Sequence, residues 1–410
     1  VTYGARNPEQ VIMLFKTLPT GAVIGLCALF ACTFTALTSE VAPVGILIEM
    51  ARAFHIPEGQ AGLSVSAFAL MVMLGAVPLT IMTAHIDRKR LVLVSLLGYV
   101  VSNLAVTVAP TFLVLCAGRL IGGMAHALLM SIAAAYAARL VPQNMTGRAI
   151  SFVYGGTSLG MILGMPGAAA IGHLAGWRVA MGVMTVLAVV LTVCIAFFLP
   201  PVTSSVQVRE GLPTIGGRRA MRIFLVVVLV DAVFFLSHHL LYTYITPLLL
   251  AHGLSVGALS IALLLTGGFS ILGLWGAGLV VDSRPAAGLL GSGLAMLVGM
   301  GLMYGHVLSG WMAVAAVGLW CIGYAAIVPF VMSGAIRARA TRPDVAGAAI
   351  NAACNAGILL GSAMGGQVLS HGGFAILVPL SCGMVLLGIM LAFFNPAAFP
   401  RALIPADEEG

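Results

Sequence analysis

Residues 200 to 219 read PPVTSSVQVREGLPTIGGRR, from Pro200 to Arg219, and form the longest polar break in an otherwise apolar chain. Pro201, Pro213, Gly216 and Gly217 interrupt regular structure, and Ser204, Ser205, Gln207, Arg209 and Glu210 favour water, so the stretch reads as a linker. Six apolar runs precede it, with approximate bounds 18–50, 59–84, 90–110, 112–139, 146–173 and 177–199. Six follow it, at 221–251, 255–281, 285–307, 310–337, 344–370 and 373–395. Each is close to the roughly 20 residues that a helix needs to cross a bilayer. The expected fold is therefore an all-α membrane protein with twelve transmembrane helices in two six-helix halves. Residues 1–199 form the first half, 200–220 the linker, and 221–410 the second half with a short tail.

Composition agrees with this division. Of 410 residues, 61% are hydrophobic and 8% are charged, against about 25% charged in a soluble protein, which leaves no room for a sizeable soluble domain. The net charge of +7 forms no stripe of the kind that binds nucleic acid, and its basic residues sit mostly in short loops. With the N-terminus inside, sixteen basic residues fall on inner segments: Arg6, Lys16, Arg88, Lys89, Arg90, Arg139, Arg148, Arg209, Arg218, Arg219, Arg222, Arg284, Arg337, Arg339, Arg342 and Arg401. Only Arg52 and Arg178 fall outside, so both termini and the linker are expected in the cytoplasm. Seven cysteines, all within apolar runs, argue against a disulfide framework and read as small core residues. The first run is too long for a signal peptide and is read as a mature span.

The halves repeat. A shift of 195 residues takes Gly62 to Gly257 and Asp87 to Asp282, and a shift of 197 takes Gly160, Gly164 and Gly176 to Gly357, Gly361 and Gly373. Parallel six-helix repeats with a solute site near the midplane are a transporter architecture.

Three ionisable residues lie well inside apolar runs: Glu40, Arg119 and Asp231. A charge at the bilayer centre costs about 2.5–3.5 kcal/mol on insertion scales, so each is a functional candidate. Glu40 lies about 18 Å below Arg52 and Arg119 about 13 Å beyond Pro110, at similar depth. A carboxyl beside an arginine in a water-accessible cavity can exchange protons, because burial opposes its charge and the cation favours it. A permanent structural ion pair is the alternative. His126 follows Arg119 by seven residues on the same helix face, and Asp231, Phe235, His238 and Tyr242 share one stripe of the seventh run. Those stripes are read as cavity lining. Asn351 and Asn355, one turn apart, offer sugar-type hydrogen bonds or interhelical glue.

Several motif spellings carry no chemistry here. Gly156-Thr157-Ser158-Leu159-Gly160 matches a serine-hydrolase pentapeptide but lies in an apolar helix with no strand before it. Asn144-Met145-Thr146 is a sequon in an inner loop. No nucleotide-binding P-loop is present, and the glycine rows are ridges for close helix approach.

The chain resembles the major facilitator superfamily over nearly its whole length. Thr83 to Arg90, containing Asp87 and Arg88, is a degenerate form of the family's loop between helices 2 and 3, and Gly278 to Asp282 echoes it. Leu115, Arg119 and Gly123 fit the helix 4 pattern, whose arginine is associated with proton coupling. Gly160, Gly164 and Pro166 fit the helix 5 antiporter motif, with Met165 in place of its usual glycine. Ser39 to Gly45, Ala125-His126-Ala127, Tyr242 to Pro247 and Asn355-Ala356-Gly357 are similar to bacterial sugar-efflux exporters of the drug:proton antiporter branch, which expel arabinose and isopropyl-thiogalactoside. Chloramphenicol exporters share much of this pattern.

The resemblance implies a proton-driven exporter with Glu40, Arg119, His126, His238, Tyr242 and Asn355 near the central cavity. The expectation is thus efflux, by alternating access, of a small solute, sugar-like first and drug-like second, in a bacterial inner membrane, with a proton-coupled importer of the same fold as the alternative. Glu40, Arg119 and Asp231 are expected to serve proton coupling, with Glu40 the main carrier, Arg119 its neighbour at similar depth and Asp231 the alternative carrier. The solute is held by His126, Tyr154, His238, Tyr242, Asn351 and Asn355. Protons are the coupling ion, with no other cofactor or metal. The chain is expected to be a monomer in the bilayer, not an enzyme and not a binder of nucleic acid.

Overall fold

The computed structural model describes residues 18–83, 85–142, 145–199 and 216–400. Residues 200–215 of the linker, both chain ends with Arg6, Lys16 and Arg401, the sequon's Asn144 and Ala84 of the loop motif lie outside the described residues. The first half contains α1 (Thr20–Gly45), α2 (Leu63–Met82), α3 (Arg88–Thr107), α4 (Phe112–Arg139), α5 (Thr146–Ala175) and α6 (Trp177–Phe198). The second contains α7 (Arg218–Tyr242), α8 (Leu259–Val280), α9 (Pro285–Gly301), α10 (Trp311–Arg337), α11 (343–372) and α12 (374–393).

Apolar side chains and internally satisfied backbones make these segments stable in hydrocarbon. On α3, Val94, Leu97, Val101 and Leu104 form an exposed stripe at three- and four-residue spacing, while Val92, Leu96, Tyr99, Asn103 and Val106 are buried behind it. Asp87 caps α3 by accepting a hydrogen bond from the Arg90 N–H at 2.9 Å, satisfying a donor that the first turn leaves free. α9 has only 17 residues and begins on Pro285, which loses nothing at a first turn.

Three boundaries differ from those expected. The first run breaks at Ile46 and resumes as Leu47–Phe54. The seventh breaks at Thr243 and Tyr244 and resumes as Ile245–Ala251. The second break falls beside Pro247, whose missing N–H takes the ladder bond from the Thr243 carbonyl, whereas Pro43, three residues before the first break, acts on the Ser39 carbonyl within α1. α11 and α12 are joined with no loop, because Gly373 alone (φ 61°, ψ −165°) redirects the chain through a conformation open to glycine.

One packing scheme occurs twice. α1 lies on α5, α2 on α4, and α3 on α4 and α6; correspondingly α7 lies on α11, α8 on α10, and α9 on α10 and α12. Glycine rows set the closest of these contacts. A carbon added at Gly160 would lie 2.7 Å from the Phe34 carbonyl and one at Gly164 2.9 Å from Thr38 Cα. Gly357 and Gly361 stand in the same way 2.6 Å from the carbonyls of Ala232 and Leu236. These contacts weld each half into one body.

The halves meet along α2 with α11 and α5 with α8, and they are closed at one end. At the end away from Arg88, Arg139, Arg284 and Arg337, the first-half residues Val44, Leu47, Ala61, Val65 and Met165 join the core of the second half. Toward the basic end, Leu26, Leu29, Leu91, Leu96, Ile132 and Val153 form a core of the first half alone. Tyr244 donates to the Ser362 carbonyl at 2.6 Å and reaches that of Gly59 at 3.4 Å, and the Ser66 and Ser362 hydroxyls lie 2.6 Å apart. Gly59 and Gly366 back onto each other there, with no space for a side chain on either.

Candidate functional site

Pro43 organises the first-half cluster. Lacking an N–H, it leaves the Ser39 carbonyl without its usual partner four residues on, and Arg119 supplies one. The Arg119 guanidinium, fully buried on α4, donates from Nη1 to Ser39 O (2.7 Å), from Nη2 to Glu40 O (2.9 Å) and from Nε to Ser64 O (3.1 Å). It also lies 4.2 Å above the Phe68 ring. All three guanidinium nitrogens are thus committed to backbone oxygens of α1 and α2, charge-assisted bonds of the stronger kind.

This arrangement differs from a simple carboxylate–arginine pair. Arg119 holds the main chain of Glu40, and the Glu40 side chain points elsewhere, its Oε2 lying 3.5 Å from His126 Nε2. Its side chain keeps 15% exposure, against 6% for that of His126. An acid and an imidazole at this separation can share or pass a proton after a small movement. Beside them Ser39 Oγ donates to Asn103 Oδ1 at 2.8 Å, and His126 packs edge-on against Phe68 at 5.4 Å.

The second-half cluster is aromatic. His238 on α7 accepts at Nδ1 from Trp320 Nε1 of α10 at 2.9 Å. Its ring stacks on Tyr324 (centroids 3.4 Å, 6° between planes) and on Tyr242 (4.4 Å, 28°). Phe235 packs against Tyr324 at 5.1 Å. Two turns earlier on α7, Asp231 is wholly buried; its Oδ2 accepts from Cys354 Sγ at 3.2 Å and its Oδ1 has no hydrogen-bond partner. Asn355 donates from Nδ2 to the backbone and side-chain oxygens of Asn351 at 2.9 and 3.3 Å, leaving its own Oδ1 unmatched.

The stripe Asp231, Phe235, His238 and Tyr242 therefore separates into an aromatic clasp and a buried acid paired with a thiol. Tyr154, half-buried on α5, donates weakly to the Met130 carbonyl at 3.4 Å. Arg88 is buried at the start of α3 and Asp282 exposed in the turn after α8, so Asp87 is seen here as a helix cap. Gly160 and Gly164 pack against α1, and Pro166 lies inside α5.

Sequence reasoning passed over four participants. Asn103 is a lone amide in an apolar run. Trp320 and Tyr324 are polar-edged aromatics one turn apart in the middle of a span, where such rings ordinarily favour the membrane interfaces. Cys354, read as a small core residue, is instead a donor to Asp231. Among the described residues no group of three or more His, Cys, Asp or Glu is arranged to hold a metal ion.

A family model described as Major Facilitator Superfamily matches residues 29–361. Over 396 residues the chain is 31% identical to a protein named chloramphenicol efflux pump in two strains of Mycobacterium tuberculosis, covering 92% of this chain and 94% of that protein. Among solved structures, a bacterial homologue of the human lysosomal transporter Spinster, inward-facing and unoccupied, superposes with a TM-score of 0.70 at 15% identity, covering 94% of this chain and 99% of that one. A peptide transporter complexed with sulfate gives 0.71 at 14% identity, covering 92% and 95%. At these identities the structural likenesses speak to fold alone.

Proposed function

Since the chain belongs to the major facilitator superfamily and is a multi-pass membrane transporter, we propose that it exports a small neutral or amphiphilic solute in exchange for protons carried by Glu40. The observation that carries this reading is the arrangement around Glu40. Arg119 fixes the surrounding main chain through Ser39 O, Glu40 O and Ser64 O, while the Glu40 carboxyl lies outside those bonds, 3.5 Å from His126 Nε2, and keeps partial exposure. An acid held in position beside an imidazole, and not locked to the arginine by a side-chain bond, can load and release a proton as access alternates.

The first solute class is chloramphenicol-like, supported by the relative's named activity and by the aromatic clasp around His238. A sugar-like solute is a second reading, favoured by the adjacent amides of Asn351 and Asn355. In this mechanism, solute and proton compete for a cavity between the halves, which rock as two welded bodies. The basic end faces the cytoplasm of a bacterial inner membrane, together with both termini and the linker, on the sixteen-to-two charge asymmetry. The closed end then faces outward, and the cavity opens inward. The transporter works as a monomer, with protons as its coupling ion and no other cofactor.

The test is Glu40→Gln in reconstituted vesicles. Solute binding should survive, and a pH gradient should no longer drive uphill exchange. Asp231→Asn is the control: if Glu40→Gln keeps normal pH-driven transport and Asp231→Asn loses it, the carrier is Asp231, and Glu40 belongs to the structural framework of Arg119.

A further inference from the structure

We propose that Trp320 is a positioning residue that holds His238 as the neutral tautomer protonated at Nε2, making it a fixed hydrogen-bond donor to an acceptor oxygen of the solute. The proposal rests on the transport reading above and adds the recognition chemistry of the second half.

The indole N–H can only donate, so the atom it meets must offer a lone pair. That atom is His238 Nδ1, at 2.9 Å. In a neutral imidazole the single proton must then sit on Nε2, and a second proton at Nδ1 would face the Trp320 N–H head on. The ring cannot turn over to exchange its nitrogens, because Tyr324 lies flat against it at 3.4 Å and 6° and Tyr242 leans on it at 4.4 Å and 28°. Two rings that close to its centre do not fit on one face, so they take its two faces.

The clasp closes both faces and the Nδ1 edge, and Nε2 is what remains. It is buried in a residue 1% exposed and has no hydrogen-bond partner. Buried donors are normally paired, and an unpaired one is costly. A chain that fixes a donor from three sides and leaves it unmatched has built half of an interaction. None of the interactions of the ring is with a carboxylate; its titratable contacts are Tyr242 and His239 on α7 and Tyr324 on α10. The complementary group is therefore an uncharged acceptor, such as a carbonyl, nitro, hydroxyl or ether oxygen. The same geometry removes His238 from proton relay while the indole bond is made.

Two measurements on the purified full chain test this. In the first, 15N-histidine NMR resolves the nine imidazoles, and the His238 signals are identified by their loss in His238→Gln. They should show the Nε2-protonated form and stay constant between about pH 5.5 and 8. In Trp320→Phe, which keeps an aromatic ring and removes the N–H, they should become a tautomer mixture that titrates. In the second, binding of chloramphenicol and of isopropyl-thiogalactoside is compared across side chains. Gln places an N–H near the position of Nε2, whereas Asn places one near Nδ1. His238→Gln should stay within about threefold of the parent, His238→Asn should lose about tenfold or more, and Trp320→Phe should fall between them.

Signals of the Nδ1-protonated form, or titration of His238 in the parent protein, would overturn the assignment, as would equal losses in the Gln and Asn variants. If neither solute binds the parent while the NMR result is as expected, the solute class proposed above is refuted and positioning by Trp320 stands.

Discussion

Gly366→Ala is the sharpest test of how the two halves are closed. A carbon added there would stand 2.6 Å from Tyr244 Oη and 2.9 Å from the Gly59 carbonyl carbon, where ordinary contact begins near 3.4 Å. The Gly59 carbonyl oxygen is nearer still. The Tyr244 ring cannot swing aside cheaply, because its hydroxyl is bonded to the Ser362 carbonyl and the ring is fully buried. α2 and α11 must therefore part by about 1 Å, and overpacking of this kind costs roughly 1–3 kcal/mol. The cost falls only on the conformation closed at this end, so the equilibrium between closed and open forms should move about 5- to 150-fold toward open. Hydrogen–deuterium exchange with mass spectrometry measures the shift without labels. Peptides spanning 58–66 and 359–370 should exchange faster in the variant, while those spanning the basic ends of α4 and α5 should exchange more slowly. Unchanged exchange at both ends in a well-folded variant would refute the idea that this contact holds the halves together.

Four further outcomes follow from the same structure. Tyr244→Phe removes one interhelical hydrogen bond, about 0.5–1.5 kcal/mol net, and should shift exchange in the same direction by less than Gly366→Ala. Cys354→Ala strips Asp231 of its thiol donor and should lower stability by about 1–3 kcal/mol in thermal unfolding, whereas Cys354→Ser, which keeps a donor, should recover most of it; equal loss in both variants removes the hydrogen bond as the cause. Glu40→Gln should bind solute but fail to couple it to a pH gradient, measured as uphill uptake into inverted vesicles. Ser204→Cys should resist an impermeant maleimide added outside intact cells and react after lysis, and labelling from outside would invert the topology.

Much of the architecture was legible because lipid imposes a simple grammar of apolar lengths and polar breaks. Residues 200–219 read as a polar break between six apolar runs and six, and the glycine rows of α5 and α11 announced close helix approach. What the sequence did not announce were the consequences of single backbone atoms. The vacant carbonyl of Ser39 and the break at Tyr244 depend on prolines whose missing N–H acts one turn back along the chain, and a hydropathy pattern registers neither. Gly373 was visible as a glycine, but only its φ shows that it replaces an entire loop. At the site, Glu40, Arg119 and His126 stood out as polar groups in apolar surroundings. Their arrangement did not, since depth and helix face cannot show whether an arginine faces a carboxylate or the main chain behind it. Trp320 and Tyr324 were hidden by composition, because aromatic residues in a membrane span look like packing until a nitrogen is found bonded.

Arg119 occupies the place that Pro43 leaves vacant, so positions 43 and 119, on separate helices, carry one joint instruction. Giving position 43 an ordinary N–H would return the Ser39 carbonyl to its own helix and release one arm of the guanidinium, with the Glu40 carboxylate close by. In the genetics of this transporter, the two sites should behave as alleles of a single trait. A replacement tolerated at either one alone is a poor guide to the pair, and suppressors of lesions at position 119 should be sought first around the proline.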